Sequence, residues 1–293
     1  DRAETVRKKT GSRACRCCGA PRASGAAAAD PVNYDRITTS INEPDQDAVV
    51  TYTDDTDETI VGKVPVVPGN NVDPSAGITL TLKSLTVSNT TTEGHTGSAE
   101  RNGDAISTGS TQGTSEWKDP TTGGVHLAVS GDVSITDRTH ALQAGFNNNI
   151  DGTIGGNLPI DSKGIGLQAQ AGTHDATIDR GILLTLNGGE ASITTTGYGI
   201  ETDNSSATVK IEGASKTTIT SEDVAIYTAG GGEVDILGSG KGGAGGSVVV
   251  ESTNEGTPYA VMATQEGIVA LQAGSVKVQN SAPETIAVAA VNG

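Results

Sequence analysis

The feature that most constrains this chain is an internal repeat of about 25 residues. Each unit holds a short strand of alternating apolar residues, a small or polar turn, a second strand, a polar loop and a third strand, and it recurs four times in a row. First-strand positions run Leu184 and Leu186, Val209 and Ile211, then Val234 and Ile236, with a longer step to Ile268. Second-strand positions are Ile193, Ile219, Val248 and Val276; third-strand positions are Ile200, Ile226, Val261 and Val288. The three tracks keep step because extra length collects in polar inserts such as residues 241–246. Strands this short cannot bury an apolar face alone. Stacking each on its equivalent one repeat later makes three continuous parallel sheets around a narrow core. The pattern predicts an all-β chain, a right-handed parallel β-helix of about eight rungs, with the hand taken from the general chirality of parallel connections.

The same grammar appears upstream with irregular spacing, at Ile78, Leu80, Leu82, Leu85 and Val87 and again at Val125, Leu127, Val129, Val133 and Ile135. The solenoid is therefore expected over residues 78–293, with polar loop inserts at 89–124, 146–162 and 238–247. Residues 31–77 carry Pro44, Pro65, Pro68 and Pro74 and a run of acids from Glu43 to Glu58, and read as an irregular acidic cap over the N-terminal end. Residues 1–30 hold seven Lys or Arg against three acids and end in a run of alanines, as a secretory signal does. Arg16 and Arg22 interrupt the apolar middle that a signal needs, so an atypical export signal and a disordered basic tail both stay open.

Charge narrows the partners. The chain has 19 basic and 35 acidic residues, a net −16, which repels phosphate and excludes an unassisted binder of nucleic acid or anionic membrane. No stretch approaches the roughly 18 apolar residues of a membrane helix. Cys15, Cys17 and Cys18 all fall in the leader with no His nearby, so they lack the four-ligand spacing of a zinc site. One Trp, one Phe and five Tyr suit a narrow interior in which rings would collide with neighbouring rungs.

Candidate chemistry is sparse. His95, His126, His140 and His174 sit in no hydrolase motif, and His126 alternates with Val125 and Leu127 so as to point outward. Residues 238–242 resemble a phosphate loop but lack its first glycine and its Ser or Thr. Asn147, Asn149, Asp151 and Gly152 match the opening half of a calcium loop, although Leu158 stands where the bidentate glutamate belongs. Asp54, Asp55, Asp57 and Glu58 form an acidic cluster that could hold a hard cation such as calcium. No other cofactor is expected. Asp132, Asp137, Asp175, Asp179 and Asp235 are available to a carbohydrate-active enzyme, but no spacing pairs two of them on adjacent rungs. Trp117 is the candidate ring for ligand contact, against the plainer reading of an ordinary loop residue.

The strings Thr196-Gly197-Tyr198-Gly199-Ile200, Val224-Ala225-Ile226-Tyr227 and Gly231-Gly232-Glu233-Val234-Asp235-Ile236 resemble the repeats of autotransporter (type V secreted) passenger domains of the pertactin-like and haemagglutinin-like group. The likeness covers about residues 78–293. It implies export through the periplasm, a C-terminal outer-membrane β-barrel beyond Gly293, and display at the bacterial cell surface. There the stalk would meet a protein or glycan of a host or neighbouring cell as a non-catalytic adhesin. The alternatives are a secreted β-helical polysaccharide lyase or glycosidase and a purely structural spacer. No functional residue of the family carries over, because none of its protease or cell-binding motifs matches.

Overall fold

Ile, Val and Thr fill the alternating stretches because a branched Cβ packs well on a pleated surface, so these stretches become strands. A computed structural model describes residues 30–34, 37, 39–52, 77–89, 105–108, 124–137, 140–145, 149–170, 180–203, 207–253, 256, 259–281 and 286–291. It is all-β. Strand β1 (Val32–Tyr34), β2 (Ile41–Tyr52), β3 (Ile78–Asn89) and β4 (Ile106–Thr108) come first. Triplets follow: β5 (Gly124–Val129), β6 (Val133–Asp137) and β7 (His140–Ala144), then β8 (Asn149–Ile154), β9 (Leu158–Ser162) and β10 (Ile165–Gln170). Next are β11 (Arg180–Leu186), β12 (Glu190–Thr195) and β13 (Ile200–Asp203), then β14 (Ala207–Ala214), β15 (Lys216–Ser221) and β16 (Ile226–Thr228). Last are β17 (Glu233–Gly238), β18 (Ser247–Ser252) and β19 (Tyr259–Thr264), then β20 (Ile268–Gln272), β21 (Ser275–Asn280) and β22 (Ile286–Val291).

Pairing is parallel and repeats every third strand. One ladder runs β3-β5-β8-β11-β14-β17-β20, a second β3-β6-β9-β12-β15-β18-β21, and a third β4-β7-β10-β13-β16-β19-β22. The first two are continuous through β3, whose N-terminal half pairs with β5 and whose C-terminal half pairs with β6. On the other edge of β3 lies β2, with a register shift between Glu43 and Asp47. Beyond that shift Lys83 Nζ donates to Asp47 Oδ2 at 2.7 Å and Ser84 Oγ to Asp47 Oδ1 at 2.6 Å, which holds the Asp47 carboxyl below its ordinary pKa. The segment expected as an irregular cap therefore contains β1 and β2, both paired in parallel.

Inward residues stack in columns. In the third ladder Ile106, Leu142, Leu167, Ile200, Ile226 and Val261 succeed one another in register, each at most 2% exposed. Burial of each such side chain contributes roughly 1.5–3 kcal/mol. Val288 continues the column on the last strand but is 56% exposed, because no described strand stacks beyond it.

The third-ladder equivalences are the ones observed, as are Val209 and Ile211 opposite Val234 and Ile236, Ile193 opposite Ile219 and Val248 opposite Val276. Three steps, β11 to β14, β15 to β18 and β17 to β20, differ in register. Ile211 pairs with Leu184 and Val209 with Ile182, while Val250 rather than Val248 opposes Ile219. These slips of two residues keep the same face inward. Ile268 is the exception: it stands opposite Glu233 and is 53% exposed, and Val269 takes the inward place opposite Val234. A slip of one residue turns a strand's faces over.

Two expected inserts are corrected. Residues 149–162 are not a polar loop but strands β8 and β9, with Ile150, Ile154, Leu158 and Ile160 buried. Within 89–124, Ile106–Thr108 forms β4 against β7, since Ile106 and the methyl of Thr108 suffice for one short rung. The insert at 238–247 is a loop containing a single 3-10 turn, Lys241–Gly243. The leader expected at 1–30 lies outside the described residues save Asp30. No helix among the described residues is long and apolar enough to cross a membrane.

Candidate functional site

The structure places the residues singled out from sequence as follows. Asn149 and Asp151 belong to strand β8, not to a curled loop, so their side chains stand two residues apart on an extended backbone. Asn149 Oδ1 accepts a hydrogen bond from the Gly181 amide at 3.0 Å, and Asp151 Oδ2 lies 3.2 Å from His126 Nδ1 on the adjacent strand. These residues do not fit a calcium loop. The ladder supplies their partners instead. Asn147, Asp54, Asp55, Asp57 and Trp117 lie outside the described residues, as do His95, His174, Asp175 and Asp179. Among the described residues no group of three or more His, Cys, Asp or Glu converges as a metal site. Asp132 is structural, accepting from the Asn157 amide at 2.7 Å and tying one turn to the next.

The strongest grouping of polar side chains is on the third ladder. Ser107, Gln143, Gln168 and Glu201 occupy one register position on β4, β7, β10 and β13, alternating with the inward column. Ser107, Gln143 and Gln168 are nevertheless buried. Polar groups removed from water need partners, and these find them along the stack. Ser107 Oγ donates to Gln143 Oε1 at 3.4 Å, Gln143 Nε2 to Gln168 Oε1 at 2.7 Å, and Gln168 Nε2 to Glu201 Oε2 at 2.6 Å.

The row ends on a carboxyl. Burial raises the pKa of Glu201, and Asp203 adds to that, while the Gln168 hydrogen bond and His140 oppose it. Asp203 is two residues along the same strand and so faces the same side, about 6.6 Å away along the backbone. The next rung puts Tyr227 opposite Glu201, and its ring stacks on that of Tyr198 with centroids 5.1 Å apart and planes 15° apart. Burial raises the Tyr198 pKa, and the nearby charges of Asp223 and Glu201 reinforce it.

A carboxyl with a raised pKa beside a second, exposed carboxylate is the arrangement a general acid and its partner require. Sequence spacing did not point to Glu201, because Gln168 lies 33 residues earlier and Tyr227 on a separate repeat. The readable signal was the outward position of Glu201 between Ile200 and Thr202.

Comparisons with protein-family models, with curated proteins and with solved structures return no match to this chain.

Proposed function

We propose that the chain is a right-handed parallel β-helix of about eight rungs, on the order of 40 Å long at ~4.8 Å per rung, that serves as a stalk displayed on the bacterial cell surface. The observation that carries this reading is the pairing of every strand from β3 onward with its third neighbour, in parallel, with no crossover helix among the described residues. Such a stack is stiff along its axis because each rung is hydrogen-bonded to the next, and its outer residues are free to vary. The reading assigns residues 1–30 to a leader, 31–77 to a cap and 78–293 to the solenoid. As in the autotransporter passengers it resembles, export would pass through the periplasm and an outer-membrane β-barrel encoded beyond Gly293. The stalk acts as a non-catalytic adhesin, using the loops at 89–124, with Trp117, and at 238–247.

The test is adhesion of the purified chain to host or neighbouring cells. Saturable binding that Trp117→Ala reduces at least fivefold supports the adhesin, and absence of binding overturns it, leaving the spacer and the carbohydrate-active enzyme. Probing intact bacteria with an antibody to residues 78–293 tests display, which labelling only after lysis would contradict.

A second reading, a secreted polysaccharide lyase or glycosidase, is favoured by the raised pKa of Glu201 next to Asp203 and the tyrosine pair. It requires release of reducing ends from a polysaccharide by the wild type and loss of that release in Glu201→Gln.

A further inference from the structure

The outer face of the second ladder carries a feature that neither the stalk nor the Glu201 grouping uses. On β6, β9 and β12 the outward positions form two columns, Ser134, Pro159 and Ser192 in one and Thr136, Asp161 and Thr194 in the other. Between them runs a shallow groove of about 250 Å³ lined by these six residues together with Ile135 and Ile160. Five of them are exposed or half-exposed hydroxyls or an apolar ring, and Asp161 is the one charge. Thr218 and Thr220 on β15 extend both columns by a further rung. The groove is smaller than the roughly 300–1,000 Å³ of an enclosed small-molecule site. It is a trough along the stack rather than a pocket.

We infer that this trough binds an extended, neutral, β-1,4-linked glycan lying along the solenoid axis, one sugar unit to each rung. Four observations select that occupant. Hydroxyls recur with the strand spacing of about 4.8 Å, close to the length of one sugar in a ribbon-like glycan, so each rung meets one sugar, and because successive β-1,4-linked sugars are turned over, the same contacts return at every second rung. Asp161 accepts from paired sugar hydroxyls, as carboxylates do for bidentate donors, and the flat ring of Pro159 offers an apolar surface to the C–H face of a pyranose. The trough contains no cation and the chain carries a net −16, which disfavours an acidic polysaccharide or nucleic acid. The backbone of all three strands is already committed to the ladder, which leaves no edge for an added peptide strand. The inference stands apart from the adhesin reading, since it concerns a different face from the loops named there.

The experiment is titration of the folded chain with cellohexaose, xylohexaose and chitohexaose, with hexagalacturonate as the anionic comparison. At least one neutral hexamer should bind, and at least tenfold more tightly than its disaccharide, because several rungs contribute. Thr194→Arg fills the trough and should weaken that binding at least tenfold. Asp161→Asn keeps the shape and should weaken it about threefold, while Thr153→Arg on the exposed face of the first ladder should leave it unchanged. Circular dichroism on each variant checks folding, and the Asp161→Asn comparison holds even if the arginine variant fails to fold. No binding of any neutral hexamer at millimolar concentration, tighter binding of hexagalacturonate, or equal affinity in wild type and both trough variants would overturn the inference.

Discussion

Thr217 is fully buried in β15 with Ala191 on one side and Val248 on the other, and its hydroxyl has no hydrogen-bond partner among the described residues. A buried donor left unpaired forfeits its hydration without compensation. Thr217→Val, which keeps the shape and removes the hydroxyl, should stabilise the chain by about 1 kcal/mol, read as a higher urea midpoint. Glu201 gives the pH-dependent counterpart. Its raised pKa means that the folded state disfavours the carboxylate, so its contribution to stability is intact below the ordinary carboxylate range and is lost as pH rises through the folded-state value. Glu201→Gln extends the amide row and cannot ionise. Its melting temperature should exceed that of the wild type at neutral pH, with the difference shrinking as pH falls toward about 4. A gap independent of pH would exclude titration of Glu201 as its source.

At the scale of the element, β8 shows how the ladder overrides a local signal. The run Asn147, Asn149, Asp151 and Gly152 has the residues of a metal loop, yet Ile150 and Ile154 alternate within it, and burial of those two side chains between β5 and β11 draws the chain straight. Gly152 is needed there for a reason unrelated to a metal. It pairs with Leu127 and Leu184 at φ 149°, and an added Cβ would lie 1.9 Å from the Leu127 carbonyl oxygen. Gly152→Ala should therefore cost about 1–3 kcal/mol, measured as a lower denaturation midpoint. Calcium should not restore that loss, whereas a calcium loop would respond to the ion. The two-residue slips in the first and second ladders belong to this scale too. Val248 and Val250 are both fully buried, so either could have opposed Ile219 from the apolar pattern alone.

Across the whole molecule, each rung contacts only its neighbours, so stability is distributed along the axis and falls at an uncovered end. The last triplet shows it, with Val276 and Val288 exposed on β21 and β22 while their neighbours Val248 and Val261 are buried. Amide exchange should be slowest in β8–β15 and fastest in β20–β22; uniform protection would mean that the stack unfolds as one unit. Val250→Asp, buried in β18, should cost several kcal/mol, whereas Val276→Asp one rung later should stay within about 0.5 kcal/mol.

Alternation of apolar residues sets the strand period and the inward face of nearly every strand, because it makes one side of a pleat apolar whatever lies next to it. Which outward residues meet is set by the folded stack. Glu201 beside Gln168 and Tyr227, or Pro159 between Ser134 and Ser192, depends on register between strands 25 or more residues apart. Apolar patterning leaves that register open to within two residues, since either choice buries similar side chains. The alignment of polar groups on the surface follows from the turns and stacking that select one.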